Sequence, residues 1–402
     1  MTVSTGLDAC HKSSHQLTTQ SPIRFYTELG SFNVQSSRTF NNGEIVLVGS
    51  SGSAAAILVL DAEGNSLWSH LLESNGESVY RDVIQHPNGS YIVVGSTNSS
   101  DLANSGAGQD GILVAYQNGS SNPKINRLLS KYDVDLMSLT LLSDGDIIVV
   151  GKLHQSSYRS MILRINSNLD KIWESDFSVG PWHSYALEAL ESTPGECIIL
   201  GYRSFSDTEV NKFSTYFMRL NAKTGTNLGT KSYLDHTREY LLSTVIRDRI
   251  RMAKTKDGIC WATTEEQPGL IITTHWVRTN MLGEVMAEKR ITGLGDATTE
   301  WMHPLQDGSY LILGASDDKN ITTSNIGFRF AKYMMMNVDQ DGNELWSSYL
   351  GDEKQLQFAL GANESYSSLN IVGMMQQISS GFRHPCFFQV DHKGKILDER
   401  PH

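Results

Sequence analysis

Short apolar segments framed by two glycines recur along the chain: NNGEIVLVG ending at Gly49, PNGSYIVVG at Gly95, SDGDIIVVG at Gly151, TPGECIILG at Gly201 and QDGSYLILG at Gly314. Looser copies are KDGICWATT, ending at Thr264, and ESYSSLNIVG, ending at Gly373. The leading positions are Gly43, Gly89, Gly145, Gly195, Gly258, Gly308 and Ser367, an average spacing of about 54 residues. After each copy comes a second pattern: an apolar strand, a turn, and a further strand that often carries tryptophan. It is clearest at 57–72, 161–177 and 333–350, and weaker at 216–234 and 387–400.

Each unit therefore reads as four short strands, a to d, with D-G, N-G and P-G hairpin signals between a and b and between c and d. Seven such units predict an all-β protein, a seven-bladed β-propeller of four-stranded antiparallel blades. One blade cannot bury both faces, so the seven are expected to pack as a single ring over 24–402, after a flexible polar leader over 1–23. The units run over about 31–72, 78–130, 134–177, 184–234, 247–291, 297–350 and 356–400. RFYTELG (24–30) and KILDER (395–400) both read as d strands. Pairing these N- and C-terminal strands in blade seven would close the ring and hide its open edge.

The c–d hairpin carries D-x-x-G-x-x-x-W over Asp61–Trp68 and Asp339–Trp346, and in part over Asn166–Trp173. This resembles the PQQ-like, quinoprotein-type propeller repeat, and the resemblance spans the chain from about residue 24. It implies the architecture. The quinone-dependent dehydrogenases of that class are longer, have eight blades, and place a calcium ion and a vicinal disulfide beside the quinone. With seven units and no adjacent cysteines, this chain is expected to hold no such cofactor. Non-enzymatic scaffolds, including the outer-membrane assembly lipoprotein family, use the same repeat, so fold leaves function open.

Composition narrows the partners. With 33 Lys and Arg against 44 Asp and Glu the net charge is −11, which argues against nucleic acid. No run reaches the roughly 18 to 20 apolar residues of a membrane span, and the first residues lack the basic and apolar regions of a signal peptide. Four cysteines without C-x-x-C spacing predict neither zinc nor disulfide. The expectation is a cytoplasmic monomer with no membrane association. His154, His183, His275 and His303 are scattered, and DQDGN (339–343) lacks the downstream glutamate of a calcium loop, so no metal is expected. Neither a phosphate-binding loop nor a G-x-S-x-G elbow is present.

Loop lengths favour one face. The b–c connections at 95–111, 201–215 and 314–332 are long, whereas the a–b and c–d turns opposite are tight. Seven residues before each leading position stand Ser36, Asp82, Ser138, Glu188, Arg251, Trp301 and Leu360; the next position holds Ser37, Val83, Leu139, Ala189, Met252, Met302 and Gly361. By period-two alternation the first, more polar set faces the channel. Arg247, Arg249 and Arg251 alternate toward the same mouth, where their guanidinium groups suit a carboxylate or phosphate. Three clusters join them: Tyr80, Arg81 and Asp82; Trp182, His183 and Tyr185; and Glu300, Trp301 and His303.

Two functions fit these residues. The first is a propeller binding a small anionic or aromatic molecule at the b–c mouth, or a non-redox enzyme acting there by elimination, cyclisation or hydrolysis. Asp82 or Glu188 would serve as base and His183 or His303 as acid, with Arg251 and Arg249 holding an anionic group and Arg81 among the substrate-binding residues. Tyr80, Trp182, Tyr185 and Trp301 would receive a ring or hydrocarbon. The second is a non-catalytic scaffold docking a protein partner on the long-loop face.

Overall fold

The computed structural model describes residues 23–102, 108–117, 122–128, 132–179, 183–204, 213–233, 250–267, 271–291, 297–316, 331–351, 355–377 and 379–397. These form seven four-stranded antiparallel sheets, and no helix occurs among the described residues. The protein is a seven-bladed propeller. Blade one is typical, with strands Phe32–Thr39, Ile45–Ser51, Ala54–Leu60 and Ser66–Leu72 paired in that order. The b and c strands are mostly apolar at their centres because both faces of a blade lie against neighbours. Ala54–Leu60, for example, is buried at every residue. The outermost strands alternate largely between half-buried and exposed positions instead.

The two framing glycines have separate causes. Gly43, Gly89, Gly145, Gly195 and Gly308 have φ of 82° to 90°, a left-handed turn position that a side chain would strain. The closing glycines answer a bulge in the innermost strand. The ladder skips one residue between Val34 and Ser36, Tyr80 and Asp82, Leu136 and Ser138, Ala186 and Glu188, Thr299 and Trp301, and Ala359 and Gly361. Each skip brings a carbonyl over the closing position, so a Cβ on Gly95 would lie 1.9 Å from the Val79 oxygen. Blade five has Thr264 there, and its innermost strand, Ile250–Lys254, pairs without a skip.

Adjacent blades lock by seating an aromatic ring on the glycine of the next c–d turn. Trp173 meets Gly225, Phe217 meets Gly283, Trp276 meets Gly342, Trp346 meets Gly394, and Phe387 crosses the closure to Gly64. In blade three Leu169 holds the same place at φ 66°, and Asn126 of blade two donates to its carbonyl. The D-x-x-G-x-x-x-W pattern thus encodes one turn and one inter-blade contact.

Both ends of the chain contribute to closure. Arg24–Phe25 is the outermost strand of blade seven, with Arg24 opposite Phe387 and Phe25 opposite Cys386. The C-terminal segment turns back as well, pairing Ile396 with Val390 and donating from Leu397 N to Gln389 O at 2.9 Å. The two segments share one edge of Arg383–Val390, the C-terminal piece at one end and the N-terminal piece at the other. Arg24 also donates to Gly64 O at 2.7 Å and Asn65 Oδ1 at 3.0 Å, tying blade seven to blade one. Residues 1–22 of the expected leader lie outside the described residues. No helix among the described residues is long and apolar enough to cross a membrane.

Candidate functional site

The innermost strands bring side chains from five blades, and a backbone carbonyl from a sixth, together in the channel. Asp82, with no exposed surface, accepts from Arg38 Nε at 3.0 Å and Nη2 at 2.6 Å, from Ser36 Oγ at 2.8 Å and from Ser138 Oγ at 2.8 Å. Glu188 accepts from Arg251 Nη1 at 2.8 Å, and from Arg38 Nη2 and Ser138 Oγ at 3.3 Å each. Arg251 reaches on to Ser36 Oγ at 3.3 Å and to Glu300 O at 3.4 Å. Because Arg251 of blade five meets Ser36 of blade one, this layer spans the channel and separates its two mouths.

Two carboxylates and two guanidinium groups make the layer formally neutral. Burial alone raises the Asp82 pKa, but Arg38, Arg251 and the Ser138 hydroxyl more than reverse it and hold the carboxyl well below its usual range. The partners of Asp82 and Glu188 are arginines and serines, and no histidine is among them. An anion with four donors already on it is a weak base, so the layer has the chemistry of a fixed electrostatic floor.

A second group lies toward the b–c mouth. The bulge at Arg81 aims its guanidinium at Asp135 of blade three, with Nε–Oδ1 3.2 Å and Nη2–Oδ2 3.1 Å, and Nη1 reaches Gln35 Oε1 at 3.4 Å. Lys152 Nζ lies 3.4 Å from the same carboxylate and 6.0 Å from the centre of the Tyr185 ring. Burial of Asp135 opposes its charge, yet Arg81 and Lys152 lower its pKa to about 2. Beside Lys152, Tyr158 stacks on His154 at 4.4 Å and lies 5.2 Å from Tyr185 and 5.5 Å from His183. His183 Nδ1 accepts from the Tyr158 backbone N–H at 2.9 Å, which assigns the proton of the neutral ring to Nε2. Asp133 closes the group, 3.9 Å from His154.

Several expected residues stand elsewhere. Tyr80 does not line the mouth: its ring is fully buried between blades one and two, where its hydroxyl meets that of Tyr116 at 2.7 Å. Its position in the bulge turns Arg81, not Tyr80, toward solvent. His303 does not share the b–c mouth, because its strand runs from that mouth to the a–b turn and His303 lies one pair short of the turn. Trp301 is buried in the blade six–seven core, with His303 stacked on it at 5.2 Å.

Arg251 reaches the channel, but out of phase. Thr263 pairs with Ile250, so Ile250 takes the ladder place of Ser36 and Arg251 that of Ser37. Both Arg251 and Ser37 then donate to the preceding blade, to Glu188 and to Leu360 O respectively. In blade seven Gly361, not Leu360, holds the channel place, and Leu360 is the bulged residue. Trp182, Arg247 and Arg249 lie outside the described residues, as do parts of the three long b–c connections.

Arg38, Asp135 and Lys152 were not anticipated. Arg38 stands two residues past the channel row, within reach of the same alternation. Lys152 sits on a b strand, where no scan of a strands would find it.

No protein-family model matches the chain, and no curated protein sequence matches it; the likeness to the PQQ-like repeat therefore rests on the motif alone. Among solved structures, the polysaccharide lyase Uly1 is similar with a TM-score of 0.55 at 9% identity, covering 89% of each chain. The Hadza microbial sialidase Hz136 is similar with a TM-score of 0.50 at 10% identity, covering 91% of this chain and 66% of its own. At these identities the likeness is one of fold.

Proposed function

We propose that the protein is a binding propeller that takes a small anion with a flat or ring-shaped body at the b–c mouth. One observation carries the reading: Arg81 and Lys152 converge on a single buried carboxylate, Asp135, while Lys152 stands beside the Tyr185 ring. Arg81 and Lys152 outnumber the one carboxylate they share, the second carboxylate, Asp133, being set beside His154, and Tyr185, Tyr158 and His183 supply aromatic surface next to them. The floor beneath is a neutral layer whose two carboxylates are held by arginines and serines, so Asp82 and Glu188 act as support for the site and take no proton from the ligand. That two fold neighbours are named as a polysaccharide lyase and a sialidase accords with propellers carrying ligand sites, and it does not select the ligand.

A thermal-shift series with aromatic and sugar carboxylates tests the reading on the wild type, Lys152→Met and Tyr185→Leu. Lys152 is partly exposed, so its removal leaves the fold intact. A carboxylate that stabilises the wild type and loses most of that effect in both variants supports the site. Equal shifts in all three proteins would remove it.

A further inference from the structure

The opposite mouth of the channel carries a second surface, separated from the first by the Asp82–Glu188 layer. One pleat nearer the a–b turns, each innermost strand presents a residue at a common ladder place, opposite the residue three before the closing position. In blades six, seven and one these are His303, Asn363 and Arg38, opposite Leu311, Asn370 and Val46. In blades two to five they are Ile84, Thr140, Leu190 and Met252, opposite Ile92, Ile148, Ile198 and Trp261. Blades seven and one are neighbours through the closure, so His303, Asn363 and Arg38 form one continuous polar arc, and the other arc holds three apolar residues and Thr140.

The polar arc has capacity to spare. Arg38 spends Nε and Nη2 on Asp82 and Glu188, and Nη1 has no hydrogen-bond partner among the described residues. The guanidinium is thereby held in place with one donor edge open, a preorganised arrangement for a carboxylate. His303 is solvent-accessible and stacks on Trp301 with a 21° interplanar angle, which sets the plane of its ring. Its partial enclosure and the Arg38 charge both lower its pKa, so near neutral pH it is an uncharged donor or acceptor beside Arg38. Across the channel, Leu190 and Met252 are half-buried and pack on the same blade four–five core, whereas Ile84 is buried in the blade two–three core. An apolar surface facing a fixed cation suits a ligand that is charged at one end only.

We propose that this a–b mouth binds an amphiphilic carboxylate, its carboxyl group at Arg38 Nη1, His303 and Asn363 and its hydrocarbon body over Leu190 and Met252. The site does not depend on the b–c mouth, and the two are separable by mutation. Isothermal titration of the full chain with octanoate, 1-octanol and acetate tests it. Octanoate is expected to bind at least tenfold more tightly than either of the others, since only it has both ends. Leu190→Glu places a carboxylate in the apolar arc and is expected to weaken octanoate at least tenfold. His303→Leu should weaken it severalfold, while Lys152→Met leaves it unchanged. Arg38 is avoided as a first variant because its loss also strips Asp82. Absence of octanoate binding, binding of 1-octanol as tight as octanoate, or octanoate binding unchanged in folded Leu190→Glu would each overturn the proposal.

Discussion

Arg38 of blade one and Asp82 of blade two form a two-point ion pair across an inter-blade seam, Nε to Oδ1 at 3.0 Å and Nη2 to Oδ2 at 2.6 Å. The two members are not equivalent. Asp82 is wholly enclosed, whereas the Arg38 side chain keeps 29% of its surface exposed. Arg38→Met should therefore destabilise the protein by about 3 kcal/mol, because it leaves a buried carboxylate without its cation. Asp82→Asn should cost less, since Arg38 keeps Glu188 and reaches solvent. Urea unfolding of the two variants gives the order directly, and the reverse order would contradict the assignment.

Acid should act through the same kind of pair in the upper group. The folded-state pKa of Asp135 lies near 2, below its ordinary 3.8. A depressed value contributes stability above about pH 4 that is lost as pH falls toward about 2. Arg81→Met removes the largest cationic cause of that depression. The gap in urea midpoint between wild type and Arg81→Met is expected to be full at neutral pH and to narrow between about pH 4 and pH 2. A gap independent of pH would show that Arg81 acts by packing.

The closing glycines offer a steric test. A methyl at Gly314 would lie 1.8 Å from the Thr298 carbonyl oxygen, a backbone atom held by the bulge, whereas at Gly52 the same methyl meets nothing within 4 Å. Gly314→Ala is expected to cost about 3 kcal/mol or more and Gly52→Ala about 1 kcal/mol, the latter from its positive φ alone. Chemical denaturation of the pair checks the difference.

Ring closure can be opened from the N-terminal side. Removing residues 1–27 deletes Arg24–Phe25, the buried Tyr26 ring and the Arg24 bonds to blade one. The loss should be about 3 kcal/mol or more, with the bared edge of Arg383–Val390 open to pairing with another chain. A lowered melting temperature together with concentration-dependent association on gel filtration is expected. A monomer of unchanged stability would mean that Ile396–Leu397 closes the edge without help.

The blade number, the four-strand unit and the two glycine frames were all legible along the chain, because each rests on a local requirement repeated in most blades: a left-handed turn, a bulge, a ring seated on a turn. Period-two alternation also brought Asp82, Ser138 and Glu188 to the channel correctly. It failed where a blade broke the pattern. Thr264 in place of glycine goes with an unbulged strand, and that shifted Arg251 by one place and turned it back toward Glu188. It failed again at Tyr80, where the residue beside the bulge, not the bulged residue itself, enters the core.

What joins into a site is a different matter. Arg38 meets Asp82 and Glu188, which are 44 and 150 residues away, and Arg251 meets Ser36 across 215 residues. Alternation within one strand states which side a residue takes. It is silent on which residues of other blades stand opposite, since that depends on the order and pitch of the closed ring. Local sequence therefore specified the parts and their number, while the division of the channel into two mouths arose only when seven inner strands were brought to one axis.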